Sequence, residues 1–177
     1  MSNENTPSFG RRRLNLAIKI LLILLIYMGV KAWFQHNLIN TVAPDGFAPI
    51  IQSNDLAGQP VQWSEYADRP VLVHFWGTWC SVCAAERSVI KAVDKNWDVL
   101  SVAMQSGEVE ELSGFLRKNQ INWRTVNDPD GRLSAQYAVN VVPTSFILKN
   151  GRIIFAQRGY ITGLGLRLRL LAAKHLF

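Results

Sequence analysis

An α/β domain with a mixed sheet covered by helices on both faces, preceded by one membrane-spanning helix, is the fold class predicted by this 177-residue chain. Three observations carry it. Apolar, β-branched runs of strand length alternate with helix-period stripes through most of the chain after residue 50. That alternation gives way to a tight hairpin and a closing helix. An apolar stretch, residues 14–34, lies near the N-terminus behind three arginines.

The elements follow in order. Residues 1–13 form an N-terminal segment ending in Arg11-Arg12-Arg13. Leu14 to Phe34, interrupted only by Asn15, Lys19 and Lys31, is long enough for a bilayer core of about 30 Å. Lys19 and Lys31 lie near its ends, and Trp33 suits an aromatic belt. The stretch reads as an uncleaved anchor rather than a removed signal. No small-x-small site follows; Thr41-Val42-Ala43 is the nearest, and Pro44 comes directly after it. Residues 35–49 read as a polar tether with Pro44, Gly46 and Pro49 as breakers, and residues 50–177 as the domain.

Within the domain, Ile50 to Ser64 suggests a hairpin around Gly58-Gln59-Pro60 near a sheet edge. Val71 to Trp76 is a buried strand. After Cys80, Val82, Ala85, Val89, Ala92 and Val93 mark an apolar helical stripe, with Arg87, Lys91 and Lys95 outside it. Val99 to Met104 is a second strand, and residues 107–119 an amphipathic helix with Val109, Leu112, Phe115 and Leu116 inward. A short strand follows near Trp123 to Val126, then the turn Asp128-Pro129-Asp130-Gly131 and a short helix to Tyr137. Thr144 to Lys149 and Arg152 to Ala156 form a hairpin through Asn150-Gly151, and Leu164 to Leu176 is the last helix.

The net charge of +6 resembles a nucleic-acid signal until it is located. Residues 1–40 hold five basic side chains and one acid, Glu4; residues 41–177 hold fourteen basic and twelve acidic. The domain is nearly balanced, so nucleic-acid binding is not supported. The arginines should stay cytoplasmic by the positive-inside rule, which puts the domain on the far side of the membrane. In a Gram-negative cell that is the periplasm, where disulfides persist.

The chemistry sits in Trp76-Gly77-Thr78-Trp79-Cys80-Ser81-Val82-Cys83, which holds both cysteines of the chain. Two thiols three apart at a helix start can close and open one small ring without refolding. The first also meets unpaired backbone N–H groups that favour its thiolate. A zinc site would need two more ligands, and His36, His74 and His175 are scattered. A structural bridge would ordinarily close a longer loop. Thiol–disulfide exchange is therefore expected, with Cys80 as the attacker nearer solvent and Cys83 as the resolving thiol. No metal or organic cofactor is required. Trp79 is expected at the surface beside the thiols and Trp76 in the packing.

From Phe75 to Cys83, and in Glu86, Asn127-Asp128-Pro129-Asp130-Gly131 and Val142-Pro143-Thr144, the chain resembles the thioredoxin fold over residues 44–177. Within that fold it is similar to the membrane-anchored TlpA/ResA-like group. Its tail, Gly159 through Leu171, is similar to the suppressor-for-copper-sensitivity D (ScsD) type. The resemblance implies a cis Val142–Pro143 bond against the cysteine pair, with Val142 free to pair with an extended substrate. Thr144 then either contacts that substrate or begins the next strand. It implies protein substrates containing cysteine, a membrane electron donor of the DsbD kind, and work in a reductive branch. Two positions depart from relatives: His74 stands where ordinary thioredoxins carry a buried aspartate, and Ser88 where many relatives have proline. Glu86, one turn from Cys83, is then expected as the proton acceptor, or else is an ordinary first-turn glutamate interacting with the helix dipole. His74 is a candidate modulator, or else a strand histidine satisfied by a neighbour. The rival function is a copper-binding or copper-delivery module using the cysteine pair as soft ligands; an inactive interaction scaffold is a second.

Overall fold

The computed structural model describes residues 9–177, with side chains from Leu14 onward. Residues 1–8 of the expected cytoplasmic segment, and the side chains of Arg11, Arg12 and Arg13, lie outside the described residues. Helix α1, Phe9–Val42, contains an apolar stretch from Leu14 with no burial against protein. By length and composition it is a candidate membrane span, as the sequence predicts.

Residues from Asn37 onward form a second compact unit. The expected tether does not begin at residue 35, because α1 continues to Val42. Leu38 and Val42, one helical turn apart, are buried in this unit's core together with Ala43. Pro44 ends the helix, since the residue before a proline is steered away from helical backbone.

The unit is built on five strands: β1 (Val71–Trp76), β2 (Asp98–Met104), β3 (Arg124–Asp128), β4 (Thr144–Lys149) and β5 (Arg152–Arg158). Their order is β3-β2-β1-β4-β5, with β1, β2 and β3 parallel and β4 and β5 antiparallel. Strand β1 is central and buried along its whole length, which is why it reads as a near-continuous apolar run. Its pleat sends Val71, Val73 and Phe75 to one face, and Leu72 and Trp76 to the other. The second face is covered by α2 (Ser81–Asp94), α3 (Val109–Lys118) and α5 (Gly163–Leu176). The first is covered by α4 (Arg132–Gln136) and by apolar residues between Leu38 and Tyr66. The predicted mixed sheet flanked by helices is the observed one.

Two local expectations change. The buried stripe of α2 is Cys83, Glu86, Ile90 and Val93, rotated from the predicted one, and Val82 is exposed. An apolar count misses this because the stripe carries a carboxylate and a cysteine. On α3, Leu112 and Leu116 are buried but Val109 is exposed.

The hairpin expected at 50–64 is a single bridge between Asn54 and Pro60 rather than two strands. The same N-terminal segment lines both sheet edges. Phe47 bridges to Arg152 on β5, and Leu56 N–H donates to the Thr125 carbonyl of β3 at 2.9 Å. Arg124 fastens that second edge, reaching Asp55 and Glu65 at 2.6 Å each and the Pro60 carbonyl at 2.8 Å.

Candidate active site

Strand β1 delivers the chain to a turn at its C-terminal end, and α2 begins immediately beyond it. The turn is braced against the end of β2. Thr78 N–H donates to Ser106 Oγ at 3.0 Å, and Trp79 Nε1–H is shared between the carbonyls of Gln105 (3.1 Å) and Met104 (3.3 Å). Gly77 is required here, because a Cβ at that position would lie 2.7 Å from the Trp79 ring. Trp79 remains 60% exposed and Trp76 is buried, as expected.

Cys80 and Cys83 form a disulfide with Cα atoms 5.2 Å apart. Cys80 is the N-cap of α2, and its Sγ accepts the Cys83 N–H at 3.0 Å. The sulfur therefore sits at the positive end of the helix, where a thiolate is stabilised when the pair is reduced. Exposure separates the two cysteines less than expected: Cys80 is 8% and Cys83 5% exposed. Helix position distinguishes them more clearly than exposure. Cys80 caps the open end, and Cys83 lies inside the first turn on the buried stripe.

Across from the pair, the Val142 carbonyl oxygen is 3.7 Å from Cys80 Sγ. With the disulfide closed this is a contact without a proton. The Val142–Pro143 bond is cis, as the resemblance implies, and Pro143 is buried. Of the two expectations for Thr144, the structure shows the strand start: it opens β4, is fully buried, and its hydroxyl donates back to the Val141 carbonyl at 2.7 Å. Its side chain braces the loop and does not face a substrate. The turn motif at 127–131 also proves structural. The Asp128 carboxylate accepts from Leu133 N–H (3.0 Å), Ser134 N–H (2.8 Å) and Ser134 Oγ–H (2.6 Å), tying down the start of α4.

Glu86 is fully buried. One oxygen accepts the Ile161 N–H at 2.7 Å, and the other has no partner among the described residues. Burial pushes its carboxyl up to about 7, and the Ile161 bond only partly opposes this. The group thus stands near half-ionisation at neutral pH, one turn from Cys83.

Sequence reasoning missed a buried polar row behind the pair. His74 is in register with Ser101 on β2 and Ser145 on β4, and Ser101 is in register with Thr125 on β3. All four side chains are buried. His74 Nδ1 lies 3.0 Å from Ser145 Oγ. Ser101 Oγ accepts from Trp76 Nε1–H at 3.1 Å and Trp123 Nε1–H at 3.0 Å, and lies 3.0 Å from Thr125 Oγ1. Burial holds His74 down to about 4, so its imidazole is neutral at pH 7. His74 and Ser101 stand out as polar residues inside apolar runs, but Thr125 and Ser145 do not, and only the registers align the four.

Among the described residues, no group of three or more His, Cys, Asp and Glu side chains converges as a metal site would require. Known proteins share this architecture. The chain is 35% identical over 108 residues to a thioredoxin-like protein of Haemophilus influenzae, covering 60% of this chain and 65% of that one, just under two thirds of its length. It is 26% identical over 161 residues to the thiol-disulfide oxidoreductase ResA of Bacillus subtilis, covering 86% and 88%. A secreted Mycobacterium tuberculosis disulfide oxidoreductase homologous to E. coli DsbE superposes with a TM-score of 0.58 at 24% identity, over 69% of this chain and 95% of that one. That likeness shows the thioredoxin-like fold, and the oxidoreductase class expected from the sequence is the class its relatives are named for. The model of the AhpC/TSA family matches residues 39–157, about two thirds of the sequence and most of the folded unit, and the chain belongs to that family.

Proposed function

We propose that the chain is a membrane-anchored thiol–disulfide oxidoreductase whose Cys80–Cys83 pair exchanges disulfides with Cys-containing proteins on the periplasmic side of a bacterial inner membrane. The observation that carries this reading is the seat of Cys80: an N-cap sulfur that accepts the Cys83 N–H and faces the Val142 carbonyl beside Pro143. In the reduced state the Cys80 thiolate attacks one sulfur of a substrate disulfide. The electron pair leaves on the other sulfur, and Cys83 then attacks Cys80 Sγ, closing the internal disulfide and freeing the second substrate thiol. Glu86 accepts the Cys83 proton, a role suited to a carboxyl that titrates near neutral pH.

Substrate enters as an extended segment against the Val142 backbone. Trp79, Val82 and Val141, all exposed, give it an apolar collar around the pair. The N-terminal helix anchors the domain in a single pass. Electrons come from a membrane donor of the DsbD kind, and the protein works in a reductive branch. The similarity of the Gly159–Leu171 tail to the ScsD type supports a link to copper tolerance. A copper-delivery module is the rival, but the pair brings it only two soft ligands.

The test is the midpoint potential of the Cys80–Cys83 couple in the full-length chain in detergent. A value near about −270 mV supports the reductive reading, and one near about −120 mV overturns it in favour of an oxidant. In the same preparation, Cys83→Ser should accumulate mixed disulfides through Cys80. Tight stoichiometric Cu(I) binding with negligible insulin reduction would instead favour the rival.

A further inference from the structure

The near balance of charge after residue 40 hides a division. Residues 41–130 hold seven basic and twelve acidic side chains, whereas residues 131–177 hold seven basic side chains and no acid. Most of that acid-free stretch builds one margin of the unit: the adjacent strands β4 and β5, and α5 packed on β4.

Helix α5 is apolar on two opposite sides. Leu166, Leu170 and Ala173 are buried in the core. Leu164, Leu168 and Leu171 lie on the other side, within about 60° of arc, and are 72%, 56% and 44% exposed. A helix packed on a sheet ordinarily turns polar residues outward there. Cations border this ridge instead: exposed Arg167 and Lys174 along one flank and half-buried Arg169 along the other, with exposed His175 in its last turn. Leucines flanked by cations, on a helix without acids, match the boundary between acyl chains and anionic headgroups.

Two further observations bring a bilayer to this helix. Only residues 35–37 separate the apolar stretch ending at Phe34 from Leu38, the first residue in the unit's core. So short a leash keeps the unit's surface at high effective concentration against the membrane that holds the span. The arriving chain and the last turn of α5 also meet at one place, the turn between β4 and β5. Ala48 N–H donates to the Gly151 carbonyl at 2.8 Å, Ile153 N–H to the Gly46 carbonyl at 3.1 Å, and Lys149 Nζ–H to the Lys174 carbonyl at 3.1 Å.

We propose that the exposed leucine ridge of α5, with Arg167, Arg169 and Lys174, docks on the anionic lipid surface of the membrane in which the chain is anchored. The inference rests on the anchoring proposed above and not on the exchange chemistry. Its consequence is where the cysteines are held. Strand β4 runs antiparallel to β1, with Leu148 opposite Val71 and Thr144 opposite Phe75, so the turn where the chain arrives lies at the end of the sheet away from Cys80. Helix α5 covers the length between. It starts just after Ile161, whose N–H meets Glu86, and its last turn meets Lys149. Laid on lipid over its 14 residues, about 20 Å, it brings the cysteine end of the unit to the membrane surface, where an electron donor in the bilayer can meet it.

The full-length chain in lipid nanodiscs tests this, with a nitroxide on the lipid headgroup as the probe. In discs of phosphatidylcholine mixed with phosphatidylglycerol, the methyl signals of Leu164, Leu168 and Leu171 should broaden more than those of Ile50 and Val109, exposed on other elements. The signals are assigned by their loss in Leu164→Ala, Leu168→Ala and Leu171→Ala. In phosphatidylcholine alone the difference should shrink. In the mixed discs, Arg167→Gln and Lys174→Gln should each lower the docked-to-free ratio about fivefold. Both side chains are exposed, so neither change threatens the fold. Leucine signals broadened no more than Ile50 and Val109, or equally in both kinds of disc, overturn the proposal. Dimers in detergent that Leu168→Gln dissolves would overturn it in favour of a second copy covering the ridge. A chain that stays with neither kind of disc would overturn the anchoring and this inference with it, whereas the other failures leave the anchoring standing.

Discussion

The two faces of the central sheet differ in kind. On the face covered by α4, β1 presents Val71, Val73 and Phe75, and Phe75 packs against Tyr137 and Phe146 with ring centroids 5.0 and 5.8 Å away. On the face covered by α2, the same strand presents His74 between Leu72 and Trp76, in a row with Ser145, Ser101 and Thr125. Both faces pack apolar side chains; on the first the hydrogen bonds lie in its cover, such as Tyr137 Oη–H to the Pro49 carbonyl at 2.7 Å, and on the second they run through the strands themselves. Adjacent residues of one strand thus meet different surroundings, because the pleat sends them to opposite sides.

Three substitutions probe that division, in falling order of expected cost. Phe75→Ala removes the centre of the aromatic cluster and should destabilise the domain by about 3–5 kcal/mol. Its measurement is urea denaturation; the folded fraction should keep its thiol chemistry. A loss of exchange larger than the loss of folded protein would show that the faces are not independent.

Ser101→Ala strands two buried indole N–H groups and removes a partner from Thr125. It should cost about 1–3 kcal/mol, more than a lone hydroxyl hydrogen bond is worth. A loss below about 0.5 kcal/mol would mean that the row relaxes freely, against the fixed geometry argued here.

The smallest effect is a change of pH profile. Glu86 binds its proton more tightly when folded, with its carboxyl moved from 4.5 to about 7. Its stabilisation is complete below pH 4.5 and is lost as pH rises through about 7. His74, moved from 6.5 down to about 4, does the reverse: its contribution is complete above pH 6.5 and is lost as pH falls through about 4. In the native chain the two slopes oppose each other between pH 4.5 and 6.5. Glu86→Gln removes one of them, so stability should rise with pH through that window and hold level toward neutrality. Denaturation midpoints taken at half-unit pH steps would show it, and an unchanged profile would contradict the burial-driven shift of Glu86.

Much of this was legible beforehand. The strands β1, β2, β4 and β5 announce themselves as short apolar runs, and the cysteine pair announces a helix start. What escaped is non-local. Leu38 and Val42 follow a longer apolar stretch, and nothing in their spacing shows that they enter the core of a different unit. Glu86 and Cys83 occupy the inward stripe of α2, where a count of apolar residues places neither. The motif leaves Thr144 open between substrate contact and strand start, and its side chain turns inward because β4 begins there. The polar row exists only through the registers of four strands, and β3 reaches its place through a separate crossover from β2. No local window contains that information.

The segment from Phe47 to Pro60 has a consequence for how the molecule keeps company. By bridging to β5 at one margin and hydrogen-bonding to β3 at the other, it engages backbone groups that could otherwise recruit a stray strand. An oxidoreductase that meets incompletely folded chains risks being stitched into their aggregates. Here the N-terminal strip acts as a hem at both borders of the sheet, and in the function proposed above that would leave the stretch around Val142 as the seat for a visiting backbone.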